Sequence, residues 1–236
     1  MRFKKYKGLG NDFLIVDEEL DEKTIIFLCD RHFGVGADGV IIQEFKDNVP
    51  FMKFFNQDGS RAKMCGNGIR CYADYLYHKN LDYTTIDTLA GLKKVEKVGS
   101  EYKVFMGKAE NLEIKDGYYN IFTGTNHLVI ISNKGIEYLK EIGPKLQKKY
   151  DTNVNLVNIL DRENIDIYTY ERGVGITLAC GTGACASAYV ANKLNLVDKN
   201  VNVHLLGGDL KIFLTDEGIY MQGSAKKVFE GEIKWV

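Results

Sequence analysis

The chain carries two copies of one short pattern, 115 residues apart, and this repeat constrains its fold more than any other feature. Cys65-Gly66-Asn67-Gly68 recurs as Cys180-Gly181-Thr182-Gly183. Each copy is followed by residues with the i, i+3, i+4, i+7 spacing of one helix face, namely Ile69, Tyr72, Ala73 and Leu76, then Ala184, Ser187, Ala188 and Ala191. Leu81 and Leu196 also coincide under the same shift. We therefore predict a duplicated fold, each half with a cysteine, a glycine-rich turn and a core-facing helix.

The rest of the chain consists mostly of short β-branched or aromatic runs bounded by glycine, asparagine or aspartate. We predict strands at 13–16, 40–43, 50–55, 102–106, 128–132, 154–159, 166–170, 210–214 and 219–222, and two further helices at 22–29 and 134–149. Strands with a few long helices in each half indicate an α+β fold. The polar stretch 111–117 suggests a boundary, which gives domains 1–112 and 113–225, with a C-terminal strand at about 226–236 returning to the first.

Composition excludes several classes of function. A net charge of −1 argues against nucleic acid or an anionic membrane as the main partner, because both attract basic surfaces. No run approaches 18 apolar residues, and no apolar segment of signal-peptide length follows the basic start, so we expect a cytoplasmic protein. The five cysteines are an odd number without a secretion signal, which favours reduced thiols over a disulfide framework.

The two cysteines that begin the repeated helices have a chemical use. A helix N-terminus presents unpaired N–H groups and the positive end of the dipole, so it eases ionisation of a thiol and attracts a carboxylate. If the two halves face each other about a pseudo-twofold axis, Cys65 and Cys180 flank one small ligand. Such a pair removes a proton from one face of a carbon and delivers one to the other. The N–H groups would stabilise the enolate-like intermediate, without any metal or organic cofactor.

Several ordered motifs resemble those of the diaminopimelate epimerase family of cofactor-independent, two-thiol racemases and epimerases. The first cysteine lies in Asn56-Gln57-Asp58-Gly59-Ser60 followed by Met64 to Cys71. The second lies in Tyr170 to Gly175 followed by Ala179 to Cys185. Further matches are Gly8 to Phe13, Asp30 to Gly39 and Phe229 to Glu232, so the resemblance covers essentially the whole chain.

The resemblance implies two pseudo-symmetric α+β domains, each a mixed sheet wrapped around a central helix, in a homodimer without PLP. It implies an isomerase of amino-acid and lysine biosynthesis with a small-molecule amino-acid substrate. Cys65 and Cys180 would be the acid/base pair, with His127 and Glu171 orienting or tuning the thiols. The implied substrate contacts are Asn11, Gln43, Asn56, Gly66, Asn67, Thr125, Asn153, Glu171, Arg172, Gly181 and Thr182.

One departure from the family motifs concerns the substrate. Where the usual motif is Gly-Asn-Pro-His, this chain has Gly124-Thr125-Asn126-His127. A hydroxyl thus replaces an amide that contacts substrate, and lost contacts of this kind shift specificity. Diaminopimelate remains the favoured substrate, because Arg172, Asn56 and Asn153 suit a distal polar group. A racemase of another α-amino acid, such as histidine, is the close alternative; Asn126 also offers a compensating amide.

Other interpretations stay open, both for the roles of individual residues and for the function of the protein. Cys29, Cys71 and Cys185 are interpreted as buried, inert thiols. Asn56, Asp58, Gly59 and Asp38 suit turns, and we keep that interpretation for Asp38. Arg172 suits a surface ion pair as well as an anion ligand. A thiol redox protein and a zinc protein are weaker alternatives, because no C-x-x-C pair or zinc-ligand spacing occurs. A non-catalytic binding module stays open if one of the two thiols is buried.

Overall fold

A computed structural model describes residues 1–234 of the 236; the last two positions of the predicted strand 226–236 lie outside the described residues. The chain forms two compact units. Unit 1 comprises Met1–Val104 and the C-terminal segment from Gly223, and unit 2 comprises Phe105–Gln222.

The described residues contain four helices and eighteen strands. The helices are α1 (Glu22–Cys29), α2 (Gly66–His78), α3 (Ile136–Tyr150) and α4 (Gly181–Lys193). The first nine strands are β1 (Arg2–Gly8), β2 (Asn11–Val16), β3 (Gly39–Lys46), β4 (Val49–Asn56), β5 (Arg61–Ala62), β6 (Thr85–Ile86), β7 (Lys93–Val98), β8 (Glu101–Gly107) and β9 (Glu110–Lys115). The other nine are β10 (Tyr118–Phe122), β11 (Asn126–Ile131), β12 (Asn153–Ile159), β13 (Asn164–Glu171), β14 (Gly175–Thr177), β15 (Asn200–Leu205), β16 (Gly208–Leu214), β17 (Ile219–Ser224) and β18 (Lys226–Glu232).

Both units use the same strand order and directions. Unit 1 has the order β18-β1-β2-β3-β4-β5, and unit 2 contains the order β9-β10-β11-β12-β13, with β14 paired to β13. In unit 1, β2 is parallel to β3, and in unit 2, β11 is parallel to β12. The other adjacent strands of these two orders are antiparallel. The parallel registers even coincide: Phe13 is opposite Gly39, and Leu128 is opposite Val154, 115 residues further on in both strands. The repeat seen in the sequence is therefore a repeat of the sheet as well as of the helix.

The central helices α2 and α4 begin and end 115 residues apart. Their N-caps, Cys65 and Cys180, have nearly the same backbone angles, with φ −130° and −127°. Two residues after each helix ends, the chain adopts the left-handed conformation at an asparagine, Asn80 at φ 56° and Asn195 at φ 57°, which asparagine tolerates better than most residues. The N–H of the next residue, Leu81 or Leu196, bonds back to the helix in each case. Most residues of both helices are buried, so each is the core of its unit.

The outer helices each cover one face of the sheet in their own unit. In unit 1, Ile25 and Leu28 of α1 pack with Leu14 and Val40 of the parallel strand pair. In unit 2, Leu139 and Leu146 of α3 pack with apolar residues of β11 and β12. Because α1 joins β2 to β3 and α3 joins β11 to β12, each is the crossover that a parallel pair requires.

The predicted α+β class is confirmed, and each of the nine predicted strands coincides with an observed one, apart from residue 132 just beyond β11. Helix α1 has the predicted bounds, and α3 begins two residues later than predicted. The polar stretch 111–117 is not a connecting loop, since most of it forms strand β9. Within the described part of the chain, no helix is both long and apolar enough to cross a membrane.

Candidate active site

Cys65 is positioned by the first turn of α2. It is the N-cap residue, and its Sγ accepts a hydrogen bond from the N–H of Gly68 at 3.4 Å. This bond gives a partner to one of the N–H groups that a helix start leaves without an intrahelical acceptor. Gly68 is suited to this approach, because a Cβ there would lie 3.3 Å from Cys65 Cβ and 3.6 Å from its Sγ. Cys65 is half-buried, and the sulfur therefore sits at the positive end of the helix dipole.

A chain of amide contacts extends from the first turn of α2. Asn67 is 3% exposed, and its Nδ2 donates to Asn11 Oδ1 at 2.6 Å. Asn11 Nδ2 in turn donates to Asp38 Oδ2 at 3.0 Å. We call Cys65, Asn67, Asn11 and Asp38 the Cys65 site. Asp38, interpreted from the sequence as a turn residue, thus anchors Asn11 at the start of β2.

A fully buried cation lies against the first turn of α2. The Arg70 guanidinium donates to the carbonyl oxygen of Gly66 at 3.1 Å and to Asn67 Oδ1 at 3.0 Å. It also donates to the carbonyl oxygen of Ser224 at 3.3 Å. Arg70 is 0% exposed, so water screens its charge poorly. The positive charge therefore adds to the field of the helix N-terminus next to Cys65.

An ion cluster supports the same end of β2. Asp12 pairs with Lys5 at 2.7 Å and with Arg31 at 2.7 Å, and Arg31 also reaches Asp38. Burial alone would raise the pKa of Asp12, but hydrogen bonds and charges from Arg31 and Lys5 hold that pKa at about 2. Lys5 additionally donates to the carbonyl oxygen of Gly36. Asp12 is therefore ionised at neutral pH, and its ion pairs fix the residue that follows Asn11.

Two residues predicted to contact substrate have other settings. Gln43 accepts a hydrogen bond from Lys79 Nζ, and Lys79 is the C-cap of α2. The helix rise places Lys79 roughly 20 Å along the axis from Cys65, so Gln43 contacts the end of α2 that is far from this thiol. Gly39, four residues earlier in β3, is the residue opposite Asn56. Asn56 itself donates to Ser60 Oγ at 3.0 Å in a turn with Gly59 at φ 80°, which matches the turn interpretation.

Cys180 is the N-cap of α4 and is 6% exposed. Its Sγ lies 3.5 Å from Thr182 Oγ1, and its side chain also makes a hydrogen bond with Glu171. Glu171 accepts from Thr177 Oγ1 at 2.6 Å. Burial raises the pKa of Glu171 above its ordinary value, against the lowering effect of the bonds from Thr177 and Cys180. We call Cys180, Thr182, Glu171 and His127 the Cys180 site.

His127 is fully buried next to this thiol and reaches it through Thr182. Its Nε2 lies 3.0 Å from both Thr125 Oγ1 and Thr182 Oγ1. Its Nδ1 lies 3.0 Å from Asn155 Nδ2. Burial lowers the pKa of His127 to about 3, because the charged imidazolium loses its hydration there. The ring is therefore neutral at physiological pH.

The other predicted residues of this half lie around the same loop. Asn153 Nδ2 donates to Thr125 Oγ1 at 3.2 Å and to the carbonyl oxygen of Asn126 at 3.1 Å. Asn153 Oδ1 accepts from the backbone N–H of Arg172 at 2.9 Å. The Arg172 guanidinium forms a 2.9 Å ion pair with Asp151, and both side chains are more than half exposed. In unit 2, Arg172 is thus the surface ion pair that the sequence left open, at the rim of the Cys180 site.

Glycines 66 and 181 follow the two cysteines and open the helices, where both are buried. The first-turn N–H groups that the sequence predicted as carboxylate donors belong to this segment in each unit. Gly183 is required sterically, because a Cβ there would overlap Asn155 Oδ1. Its counterpart Gly68 has no such close contact.

Comparing the repeats position by position shows that their charges differ. Asn56 of the first repeat corresponds to Glu171 of the second, and Arg70 corresponds to Cys185. The Cys65 site therefore has a buried cation nearby, whereas the Cys180 site has a carboxylate hydrogen-bonded to the thiol. A nearby cation favours a thiolate and a nearby carboxylate favours a protonated thiol. The duplicated scaffold thus holds two cysteines in unlike electrostatic environments.

The remaining cysteines fit their interpretation as inert core thiols. Cys29, Cys71 and Cys185 are at most 4% exposed. Burial raises the pKa of Cys29 to about 11, and it raises the pKa of Cys71 further. Among residues 1–234, no three histidine, cysteine, aspartate or glutamate side chains are grouped closely enough to hold a metal ion.

The sequence analysis missed several functional neighbours, notably Asp12, Arg70, Asn155, Thr169 and Thr177. One signal was present: the 115-residue shift aligns Asp12 with His127 and aligns Val40 with Asn155. Where one repeat has a polar residue and the other has an apolar residue at the matching position, as with Asn155 and Val40, the fold does not require the polar residue.

Solved structures of other proteins share this fold, and here each repeat of it carries a cysteine at the head of its central helix. A solved structure of a predicted epimerase from Pseudomonas aeruginosa shares the fold with a TM-score of 0.78 at 15% identity, covering 100% of this chain and 99% of that one. The family model for diaminopimelate epimerase matches residues 3–112 and 119–228, one stretch in each repeat. The chain belongs to the diaminopimelate epimerase family, which is a family of isomerases.

Full-length relatives agree with this assignment. A diaminopimelate epimerase from Caldanaerobacter subterraneus subsp. tengcongensis is 39% identical over 274 aligned positions, covering 99% of this chain and 100% of the relative. A diaminopimelate epimerase from Clostridium perfringens is 36% identical over 271 positions, covering 98% of each.

Proposed function

We propose that this protein is a cofactor-independent epimerase that interconverts L,L- and meso-diaminopimelate by proton transfer at Cα. The observation that carries the proposal is the pair of cysteine N-caps, Cys65 and Cys180, at equivalent positions of two repeats. Family membership and the names of the full-length relatives support the same reaction.

In the proposed mechanism, one cysteine removes the Cα proton as a thiolate while the other, as a thiol, delivers a proton to the opposite face. The Cα–H bond breaks and its electron pair enters the enolate-like system of the carboxylate. A new Cα–H bond then forms from the second thiol, which becomes the thiolate. The roles are reversed in the other direction, so no net proton or electron is consumed.

The electrostatic difference between the repeats assigns the resting forms. Arg70 lies against the first turn after Cys65, so we propose that Cys65 rests as the thiolate. Cys180 is hydrogen-bonded to Glu171, so we propose that it rests as the thiol. This arrangement starts the cycle with one base and one acid, as inversion requires.

First-turn N–H groups of α2 and α4, at Gly66, Asn67, Gly181 and Thr182, are the proposed donors to the substrate α-carboxylate. Such donors stabilise the charge that develops on the carboxylate oxygens when the proton leaves. Neither PLP nor a metal is then needed to stabilise the carbanion. Full activity after dialysis against a chelator and after treatment with a carbonyl-trapping reagent tests this point, and loss of activity in either treatment contradicts it.

Asn11, Asn56, Asn153 and Arg172 remain the proposed contacts to the polar and distal parts of the substrate. Asn11 is held by Asn67 and Asp38, and Asn153 is held at the Thr125 loop. Arg172 would exchange its exposed Asp151 partner for a substrate carboxylate, which costs little because surface ion pairs are weak.

The direct test incubates the purified protein with L,L-diaminopimelate in deuterium oxide under reducing conditions, without added PLP. We expect meso-diaminopimelate to form with one deuterium at the inverted carbon. Absence of both product and exchange would reject the proposed function.

The alternative function is racemisation of another α-amino acid, such as histidine, by the same two thiols. Thr125 favours it, because this hydroxyl bonded to Asn153 stands where the family motif has an amide. A panel of single amino acids in the same exchange assay separates the two: the substrate with the largest kcat/KM identifies the function.

We further propose a cytoplasmic homodimer. The exposed edge strand β9 supports self-association, since Leu112 and Ile114 on it are 40% and 69% exposed. Light scattering at micromolar concentration tests it, and a monomer's mass would refute the dimer.

A further inference from the structure

Unit 2 contains a buried polar chain, formed by Thr169, Asn155 and His127, that its duplicate lacks. Asn155 and His127 are 0% exposed and Thr169 is 3% exposed. The positions of the first repeat that match Asn155 and Thr169 hold Val40 and Phe54, which are also buried. The same scaffold thus accommodates apolar residues at both positions. Burying polar groups is costly unless they are paired. The contacts among Thr169, Asn155 and His127 therefore indicate a role for these residues other than stabilising the fold.

The contacts of Asn155 fix which way its amide points. Its Oδ1 accepts from Thr169 Oγ1 at 3.0 Å. Its Nδ2 lies 3.5 Å from the carbonyl oxygen of Leu128, which can only accept, and 3.0 Å from His127 Nδ1. The reversed amide would place an oxygen against that carbonyl. The N–H side of Asn155 therefore faces His127.

This orientation determines the tautomer of His127. Since Asn155 donates to Nδ1, Nδ1 is the nitrogen without a proton, and the neutral ring carries its proton on Nε2. The Nε2–H then points at two hydroxyl oxygens, those of Thr125 and Thr182, each 3.0 Å away. Both hydroxyls are acceptors from the ring and have to direct their own protons elsewhere.

Each hydroxyl has a defined use for that proton. Thr182 Oγ1 lies 3.5 Å from Cys180 Sγ, so its O–H donates to the sulfur. Thr125 Oγ1 already accepts from Asn153 Nδ2 at 3.2 Å, so its O–H is directed to a further acceptor, such as a substrate oxygen. A donor to sulfur stabilises the thiolate more than the thiol.

We propose that Asn155 is a positioning residue that holds His127 as the Nε2–H tautomer and so makes Thr182 a hydrogen-bond donor to the Cys180 sulfur. Thr125 becomes a donor toward the substrate by the same constraint. The inference rests on the proposed function only in taking Cys180 as the reacting thiol. The tautomer itself is a property of the protein without substrate.

The first experiment measures the tautomer of His127 by NMR on protein labelled with ¹⁵N at histidine. The chain has four histidines. The signals that are missing from the spectrum of His127→Gln are those of His127. We expect a protonated Nε2 and an unprotonated Nδ1 in the parent protein. In Asn155→Val, which uses the residue of the first repeat, this pattern should be lost. A parent protein protonated on Nδ1, or an unchanged pattern in a folded Asn155→Val, overturns the proposal.

The second experiment follows alkylation of Cys180 against pH in a Cys65→Ala background, with labelling quantified at the Cys180 peptide. Asn155→Val should raise the midpoint pH of alkylation by about one unit, which means about tenfold less thiolate at a given pH. Glu171, a titrating group that is hydrogen-bonded to Cys180, is present in every variant and so cancels from the comparison. A midpoint that does not move overturns the link from Asn155 to the sulfur.

Matched substitutions separate positioning from loss of structure. Thr169→Val removes the hydroxyl that orients Asn155, whereas Thr169→Ser keeps it. We expect the valine variant to shift both the tautomer and the midpoint and the serine variant to restore them. Asn202→Leu is the control, since this asparagine bonds to Asn164 away from the chain of contacts. Equal shifts in the control, or no rescue by serine, would overturn the proposal, whichever substrate the enzyme uses.

Discussion

Cys65 and Cys180 occupy the same structural position 115 residues apart, each as the N-cap of a thirteen-residue helix with nearly identical backbone angles. The relationship extends to the far ends of those helices, where Asn80 and Asn195 both adopt the left-handed conformation. A duplicated scaffold of this kind supplies two equivalent sulfurs from one folding solution. The side chains around the two sulfurs differ, so the thiols lie in unlike electrostatic environments.

The two glycines in the third position of the repeated motif should respond differently to alanine. In Gly183→Ala the new Cβ overlaps Asn155 Oδ1, whereas in Gly68→Ala the nearest atom, in Cys65, is at 3.3 Å. We expect Gly183→Ala to destabilise the protein by about 1–3 kcal/mol despite the higher helix propensity of alanine. Gly68→Ala should change stability by less than about 1 kcal/mol. Urea unfolding of both variants checks this, and equal losses would contradict it.

Much of the fold followed from local patterns, for physical reasons that particular residues illustrate. The helix face after Cys65 and the glycines around it are local signals, so α2 and its repeat α4 were predictable. Strand β1 was missed because lysines 4, 5 and 7 mask the alternation of its buried residues, and the buried Lys5 is paired with Asp12 and bonded to the carbonyl oxygen of Gly36. Strand β9 was missed because all six of its residues are exposed.

The site was less predictable because its contacts depend on register between strands. Asn155 meets His127 through the parallel pairing of β11 with β12, and Thr169 meets Asn155 through the antiparallel pairing of β12 with β13. The residues next to Asn155 in the sequence do not indicate those partners.

Folding stability should depend on pH through His127. The unfolded chain takes up the proton near pH 6.5, whereas burial lowers the pKa of His127 in the folded protein to about 3. The unfolded state therefore binds more protons between these values, and stability falls as the pH is lowered across that window. Between pH 7.5 and 4.5 this group should account for a loss of roughly 2–3 kcal/mol.

Urea unfolding at the two pH values, for the parent and for His127→Asn, isolates this contribution. The carboxylates titrate in both proteins, so the difference between the two slopes belongs to position 127. Equal acid sensitivity would show that the histidine is not buried in its neutral form.

In the ion cluster next to Asn11, substitution of a buried member should reduce the stability of the protein more than substitution of the exposed Arg31. The side chains of Lys5 and Asp12 are 9% and 18% exposed, while that of Arg31 is 53% exposed. Asp12→Asn leaves Lys5 without its carboxylate and should cost on the order of 3 kcal/mol. Arg31→Ala should cost less than about 1 kcal/mol. Thermal unfolding measures both, and a larger loss for Arg31→Ala would contradict the burial argument.

Glu171 should make Cys180 harder to ionise. In Glu171→Gln the carboxylate that opposes a thiolate is gone, so the midpoint pH of Cys180 alkylation should fall by about half a unit to one unit. Cys65 in the same sample is the internal control, and its midpoint should stay where it is. A raised Cys180 midpoint would mean that Glu171 assists ionisation instead.

The central claim, that two thiols act from opposite faces of one carbon, is tested most directly by the fate of deuterium in the first few per cent of conversion. Starting from protiated L,L-diaminopimelate in deuterium oxide, the meso product should carry solvent deuterium at the inverted carbon while recovered substrate stays protiated. Cys65→Ala and Cys180→Ala should each form no meso product. Equal labelling of product and recovered substrate, or inversion by either folded single variant, would contradict the two-thiol account.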